Sequence, residues 1–480
     1  MGVVQGAVEA GFEPVRELFE QQFAAGQHIG AGVAAYHRGR KVVDLWGGLA
    51  DGDTGSPWVE DTMAASFSTT KGLTATCLHI LADRGLVKYD DPVSKYWPEF
   101  AANGKAAITI YQLLTHQAGV PQLPDGITTD DLCDWERMVH GIEELTPLWE
   151  PGTNTGYHAI TFGFLVGEVV RRVDGRSLGT FFRDEIAALL GMTQIHIGTP
   201  ASLDAKVATL KSTVTITPEM EKQRAAFLGP TSMAGRALGI GLPGDMNAML
   251  NSPAGHRAEI PAVNGIMSAR DLARMYACLA GYGEVDGTRL LSERTVRAMS
   301  EQQTYRPDLV IILPVGWALG YMTGGDPGWP QGPRKTSFGH PGFGGSVGHA
   351  DPEIGLSFGL VVNALALDLI GAGRTAALAA AVRVCAEALY RGVTYPPAPS
   401  LGGKGSATRG TELRTLISHL PLPTRLTPPG AAGSPPPADG AAARCVSAPP
   451  SGRAPGRTAP PSRATRGAAR EDSAIAAPPR

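Results

Sequence analysis

Ser68 and Lys71 stand three residues apart in the run Ala64-Ala65-Ser66-Phe67-Ser68-Thr69-Thr70-Lys71-Gly72-Leu73-Thr74. That spacing puts a hydroxyl and an amine on one face of a helix. A lysine so placed can draw the proton from the hydroxyl or ease its ionisation, the activation a serine needs for acyl transfer. Leu73, Cys77, Ile80 and Leu81 follow at helical spacing, so a helix is expected to begin at Ser68. A serine at a helix start also lies among free backbone N–H groups able to hold a developing oxyanion. Serine is equally a common N-cap, and the pair alone fits a structural cap beside a solvated lysine. No other serine in the chain has a lysine three residues after it.

A second element is Trp149-Glu150-Pro151-Gly152-Thr153-Asn154-Thr155-Gly156-Tyr157-His158-Ala159. Tyr157 reads either as a half-buried core residue or as a general base. A phenol titrates near 10 in water, so the second role needs nearby positive charge such as Lys71. A third element, Phe338-Gly339-His340-Pro341-Gly342-Phe343-Gly344-Gly345-Ser346-Val347-Gly348, has the repeated glycines that let another group approach an extended backbone. Its strand edge could supply a second oxyanion N–H, and His340 a polar contact to substrate. The alternative is a plain Gly-rich hairpin with a surface histidine. The same run matches Gly-x-Ser-x-Gly at Ser346, the nucleophile elbow of α/β-hydrolases. An elbow needs a strand-to-helix turn and later acid and histidine partners. Here a hairpin is expected, His349 is too close, and His419 lies in a doubtful tail. Ser346 is therefore read as a decoy.

The elements that must position these residues follow from the pattern along the chain. Phe12–Phe23 reads as an amphipathic helix. Gly32–His37 and Lys41–Trp46, split by Arg38-Gly39-Arg40, read as a hairpin. Helical patterns and Gly/Pro loops dominate from about 85 to 320. Thr161–Arg172 and Ser268–Ala280 are clear helices, the second capped by Ser268 with Asp271 in its first turn. Phe338–Gly348 and Gly355–Asn363 flank the turn sequence Asp351–Gly355 as a second hairpin, and Thr375–Tyr390 is an Ala-rich helix. This order predicts an α/β lobe built from both chain ends with a helical lobe, roughly 90–320, inserted between them. The site would lie in the cleft between the lobes. After Tyr395 the composition shifts to Pro, Ala, Gly, Ser, Thr and Arg. Residues 396–480 cannot bury enough apolar area to offset ordering entropy and are expected to be a disordered tail, with Leu413–Leu422 the only stretch that could fold locally.

Composition sets outer limits. A chain of 480 residues with 18% charged residues and a net charge of −3 describes a globular protein without nucleic-acid bias. Residues 401–480 hold 11 Lys/Arg against 4 Asp/Glu, so the first 400 carry about −10 and the tail is basic. The five cysteines, Cys77, Cys133, Cys278, Cys385 and Cys445, are scattered and form no Cys-x-x-Cys pair. They read as buried hydrophobes in a reducing compartment. The N-terminus has no basic n-region, and no apolar stretch is long enough to span a bilayer, so a cytoplasmic location is expected.

Together these residues resemble the serine β-lactamase/penicillin-binding-protein-like superfamily, and within it the family VIII carboxylesterases, which are similar to class C β-lactamases. The pieces that carry the resemblance are Ser68-Thr69-Thr70-Lys71, Leu86–Val93, Leu113-Leu114-Thr115-His116-Gln117-Ala118-Gly119, Trp149–Tyr157 and His340-Pro341-Gly342. They fall in the family order over roughly residues 12–392. The resemblance implies a β-lactamase-like fold, an antiparallel sheet flanked by helices. It implies Ser68 as nucleophile, Lys71 as its electrostatic partner and Tyr157 as general base. The N–H groups of Ser68 and Phe343 would form the oxyanion hole, and His340, Gly342 and Gly344 would meet substrate. His116 would brace its loop. No metal or cofactor is implied.

Departures from the family pattern bear on substrate. Ala159 stands where class C β-lactamases carry the asparagine of Tyr-x-Asn, whose amide grips the lactam side chain. His340 replaces the lysine that begins the β-lactamase triplet, though it could partly substitute for it. With no export signal either, the implied activity is a serine carboxylesterase acting on short-chain esters through an acyl-Ser68 intermediate. An acyltransferase, a β-lactamase or D-amino-acid peptidase, and a non-catalytic acyl-peptide binding protein remain as alternatives. The expected partner is a small-molecule ester, with no nucleic acid and no membrane.

Overall fold

The computed structural model describes residues 4–213, 217–219, 222, 228–366 and 371–390. The segment expected to be a disordered tail, 396–480, with Leu413–Leu422, His419 and Cys445, lies outside the described residues.

The first expected hairpin forms from strands Gly30–His37 and Arg40–Gly48. Its turn residues Arg38 and Gly39 take φ of 52° and 77°, the left-handed geometry that a two-residue turn needs to match strand twist. The hairpin belongs to a 9-stranded sheet. From one edge the order is Gln5–Val8, Arg40–Gly48, Gly30–His37, Leu356–Val362, Val347–Asp351, Phe338–Pro341, Met322–Thr323, Pro314–Trp317 and Thr304–Pro307. Every neighbouring pair is antiparallel. The two chain ends meet where Gly30–His37 pairs with Leu356–Val362, in register from Leu356↔His37 to Val362↔Ala31.

Side chains alternate across that seam, as strand geometry requires. Ala31, Val33, Ala35, Phe358, Leu360 and Val362 enter a core shared with helices Glu13–Ala24 and Arg374–Tyr390. Ala34, Tyr36 and Val361 face the opposite side, where the core includes helix Ala269–Ala280 and the helical lobe. A helix on each face makes these strands near-continuous apolar runs. Ser268 caps the Ala269–Ala280 helix by accepting from the Asp271 N–H at 3.2 Å. Thr161–Asp174 also forms as expected.

Several expectations are corrected. Phe338–Gly348 is not one strand: the chain reverses at Gly342–Ser346, where the Gly342 N–H donates to the Ser346 carbonyl at 2.7 Å. The second hairpin is therefore a meander of Phe338–Pro341, Val347–Asp351 and Leu356–Val362. The helical lobe ends at Ser300, because 304–323 returns to the sheet as short edge strands. Gln5–Val8 extends the other edge. Strands of two to four residues are too short for alternation to declare itself.

The Thr70–Asp83 helix is buried from Thr70 through Leu81. It lies between strand Phe338–Pro341 and helix Thr161–Asp174, and its all-round burial marks a core helix rather than a surface one. Cys77, Cys133, Cys278 and Cys385 are unpaired. No helix among the described residues is long and apolar enough to cross a membrane.

Candidate active site

Ser68 sits in one turn of 3₁₀-helix, Phe67–Thr69, that runs directly into Thr70–Asp83. The helix therefore begins two residues after the serine, and Ser68 occupies the tight turn before it. Phe67 takes φ 46°, a left-handed conformation rare for an aromatic residue. The Thr70 hydroxyl donates to the Phe67 carbonyl at 2.6 Å, and the Thr69 N–H to the Ser66 carbonyl at 3.2 Å, which hold this turn shut. Near the start of the turn, the Ser68 N–H is among those that no earlier carbonyl of the helix can satisfy. Ser68 is half-buried, whereas its neighbours Ser66, Thr69 and Thr70 are buried.

Lys71 is wholly buried, and its Nζ has partners in three directions. The Ala159 carbonyl lies at 2.6 Å, the Ala262 carbonyl at 3.1 Å, and the Ser68 hydroxyl at 3.0 Å. Carbonyls can only accept, so two of the amine's hydrogens are committed to them. The third direction faces Ser68 and holds either a donated N–H or the lone pair. Burial holds the Lys71 pKa well below 10.5, which favours the neutral amine with its lone pair toward the serine proton.

Tyr157 packs against the same pair. Lys71 Nζ lies 4.8 Å from its ring centre. The ring is stacked with Trp317 (5.6 Å, 14° between planes) and with His340 (5.8 Å, 25°), and it meets His116 edge-on at 5.1 Å. Burial drives the phenol pKa upward, and a hydrogen bond with the Ser68 hydroxyl opposes that rise. The phenol is thus a neutral hydroxyl joined to Ser68, not a standing phenolate.

The histidines around Tyr157 are fixed as neutral rings by their partners. The Val120 N–H donates to His158 Nε2 at 3.1 Å, so Nδ1 carries the proton and donates to the Gly156 carbonyl at 2.7 Å. The His158 N–H in turn donates to His116 Nδ1 at 3.1 Å, and the His116 carbonyl accepts from the Gly156 N–H at 3.0 Å. His116 therefore braces the segment that carries Tyr157. His340 donates from Nδ1 to the Pro341 carbonyl at 2.7 Å and is fully buried. Burial first, and the neighbouring Lys71 second, push its pKa down to about 3. It is not the surface histidine of the alternative reading, and it offers no positive charge to a carboxylate at neutral pH.

The Gly-rich turn closes the other side. A Cβ on Gly342 would stand 2.1 Å from the Ser66 carbonyl oxygen and 2.8 Å from Thr69 Oγ1, so only glycine lets the strand end lie on the Ser68 turn. Phe343 follows, its ring meeting Phe67 edge-on at 5.5 Å. The Gly344 carbonyl accepts from Arg374 at 2.8 Å, tying the turn to the last helix. Ser346 is buried, lies between two strands, and its hydroxyl accepts from the Val362 N–H at 3.2 Å. That is a structural role in a hairpin, with no helix following to make an elbow.

The structure thus gathers Ser68, Lys71, Tyr157, His340 and Gly342 from distant stretches of chain and leaves Ser346 out. The sequence did not mark Trp317, Asp308 or the carbonyls of Ala159 and Ala262. A main-chain carbonyl has no side-chain signature. Asp308 lies just past one short strand and Trp317 ends another, and neither stretch carries a readable pattern.

Comparisons with known proteins bear on the family and the fold. The sequence model of the Beta-lactamase family matches residues 15–383. The esterase/beta-lactamase LipL of Mycobacterium tuberculosis is 38% identical over 378 residues, covering 76% of this chain and 84% of LipL. The crystal structure of a family VIII carboxylesterase superposes with TM-score 0.71 at 36% identity, covering 80% of this chain and 100% of that one. EstA from Arthrobacter nitroguajacolicus Rue61a gives TM-score 0.71 at 32% identity, over 80% and 99%.

Proposed function

The chain belongs to the Beta-lactamase family and is a serine hydrolase of its ester-hydrolysing kind, and from that premise we propose a carboxylesterase that cleaves short-chain esters through an acyl-Ser68 intermediate. The observation that carries this reading is the clamp on Lys71. Two carbonyls hold two of its hydrogens, and the remaining direction points at Ser68 Oγ 3.0 Å away.

In this reading Ser68 Oγ attacks the ester carbonyl carbon. Its proton passes into the Lys71–Tyr157 pair, and the carbonyl oxygen becomes an oxyanion held by the N–H groups of Ser68 and Phe343. Each such donor typically contributes ~10²–10³ in rate. Collapse of the tetrahedral intermediate breaks the bond to the alkoxy oxygen, which takes its proton from Tyr157 and leaves as the alcohol. Water then attacks the acyl carbonyl as Tyr157 removes its proton, and collapse breaks the bond to Ser68 Oγ, which takes a proton back from the Lys71–Tyr157 pair as the acid departs. Gly342 and Gly344 keep the turn close enough for substrate to lie against its backbone, and His340 supports Tyr157 from beneath.

Esters fit better than lactams on particular residues. The side chain at 159 is a methyl group, so no amide grips an acylamino substituent. His340 is buried and neutral, so the positive charge that a lysine-first triplet supplies is missing. The relative named esterase/beta-lactamase keeps nitrocefin hydrolysis as the second activity to measure.

The test is intact-mass spectrometry after a fluorophosphonate, with peptide mapping, beside p-nitrophenyl butyrate turnover. A single adduct on the Ser68 peptide and loss of turnover in Ser68→Ala are the expected results. Full turnover in Ser68→Ala, or an adduct on the Ser346 peptide, would overturn the reading.

A further inference from the structure

Asp308 follows the edge strand Thr304–Pro307 and is only 2% exposed. Its Oδ1 accepts from the main-chain N–H groups of Val310 at 2.9 Å and Ile311 at 3.0 Å, which closes its own turn. The same oxygen accepts from the main-chain N–H of Tyr157 at 3.0 Å, a residue 151 positions earlier. Around this bond the edge is fastened to the tyrosine segment. The Leu309 N–H donates to the Thr155 carbonyl at 2.9 Å. Arg306 donates to Thr155 Oγ1 at 2.8 Å, to the Thr153 carbonyl at 3.0 Å and to Gln117 Oε1 at 2.8 Å.

The contacts made by the Tyr157 ring, with Trp317, His340 and His116, set the plane of the phenol. Ring stacking alone tolerates sliding, because it has no single preferred offset. A charge-assisted hydrogen bond to the main chain does not, and it fixes the root of the side chain. We infer that Asp308 is a positioning residue for Tyr157: its carboxylate anchors the tyrosine backbone and sets a negative charge behind the Tyr157–Lys71 pair. This rests on Tyr157 being the proton carrier of the proposed ester hydrolysis.

The titratable and charged groups packed around the pair are Lys71, His116, His158, His340, Asp308 and Arg306. The imidazoles are neutral and hydrogen-bonded as described, and the Arg306 guanidinium is turned to Thr155, Thr153 and Gln117. Asp308 is therefore the negative group bearing on the phenol. Negative charge there opposes loss of a proton from Tyr157. Its removal eases that loss, so the acidic limb of kcat/KM moves to lower pH.

Asp308→Asn keeps an oxygen acceptor for the N–H groups and removes the charge; Asp308→Ala removes both. In Asn we expect most of kcat at the pH optimum, with the acidic limb lower by roughly half a pH unit or more. In Ala we expect kcat to fall ~10²-fold at similar KM, as a misplaced catalytic group does. If Ala does not fold, the pH profile of the Asn variant decides alone. An unshifted acidic limb in Asp308→Asn, with Tyr157→Phe inactive, overturns this inference and spares the proposed mechanism. Full activity in Tyr157→Phe overturns both.

Discussion

Gly342→Ala tests the contact that sets the depth of the site. The added Cβ would lie 2.1 Å from the Ser66 carbonyl oxygen and 2.8 Å from Thr69 Oγ1. A carbon–oxygen contact relaxes at about 3.3 Å, so the strand end must retreat by ~1 Å from the Ser68 turn. Neither partner yields easily. Ser66 O also accepts from the Thr69 N–H at 3.2 Å, and Ser66 itself is pinned by its N–H to the Gly265 carbonyl at 2.9 Å. The retreat carries the Phe343 N–H with it and would stretch the ~2.9 Å oxyanion hydrogen bond proposed for it beyond useful length. Losing one such donor costs ~10²–10³ in kcat, or about 3–4 kcal/mol of transition-state stabilisation. Crowding of the packed turn adds ~1–3 kcal/mol of lost stability. The assay is kcat on p-nitrophenyl butyrate, with a melting curve on the same sample. A folded Gly342→Ala variant with wild-type kcat would refute the assignment of the Gly342–Phe343 turn to the oxyanion hole.

Further predictions concern the clamp and the buried imidazoles. Lys71→Met should lower kcat by ~10²–10⁴ and slow fluorophosphonate labelling of Ser68 in parallel; unchanged labelling would separate Lys71 from nucleophile activation. The same variant leaves the Ala159 and Ala262 carbonyls without their shared donor, costing ~1–3 kcal/mol for each that stays dry, which a urea midpoint measures. Acid stability should fall early. The pKa of His79 is pushed down to about 4, and those of His158, His340 and His349 to about 3, in each case first by burial. Below pH 6.5 the unfolded chain takes up protons that the native rings refuse, so each histidine removes ~1.4 kcal/mol per pH unit as pH falls toward its native value. A urea midpoint that stays flat from pH 7 to 5 would contradict this.

Much of the candidate site was legible because its residue types stand out in the sequence. A serine and lysine three apart, an aromatic hydroxyl after a Pro-Gly turn, and a glycine-rich strand end announce themselves by type. The fold was legible where elements were long. The hairpin at Arg38-Gly39, the cap at Ser268 and the helix Thr161–Asp174 each satisfy a local rule. What stayed hidden is long-range or main-chain. Phe338–Gly348 reads as one extended run, because glycines permit extension and reversal alike, and only packing on Ser66 decides. Thr304–Pro307 carries too few residues to show a period. Asp308 looks like any turn aspartate until Tyr157 arrives from 151 positions away. The neutrality of His340 depends on burial, which its neighbours in sequence do not reveal.

The pairing of Gly30–His37 with Leu356–Val362 has a consequence for how the chain is made. The Gly30 N–H finds its acceptor, the Asn363 side chain, 333 residues further on. At ribosomal rates of ~5–20 residues per second, the early hairpin waits on the order of tens of seconds for its neighbour. During that wait an apolar strand edge is open to any other strand that meets it. The rate of folding should therefore be set by closure of this seam, with hydrogen-exchange protection of Gly30–His37 rising together with that of Leu356–Val362. A holding chaperone present during synthesis would raise the yield of active protein by guarding that edge, without touching a single residue of the site.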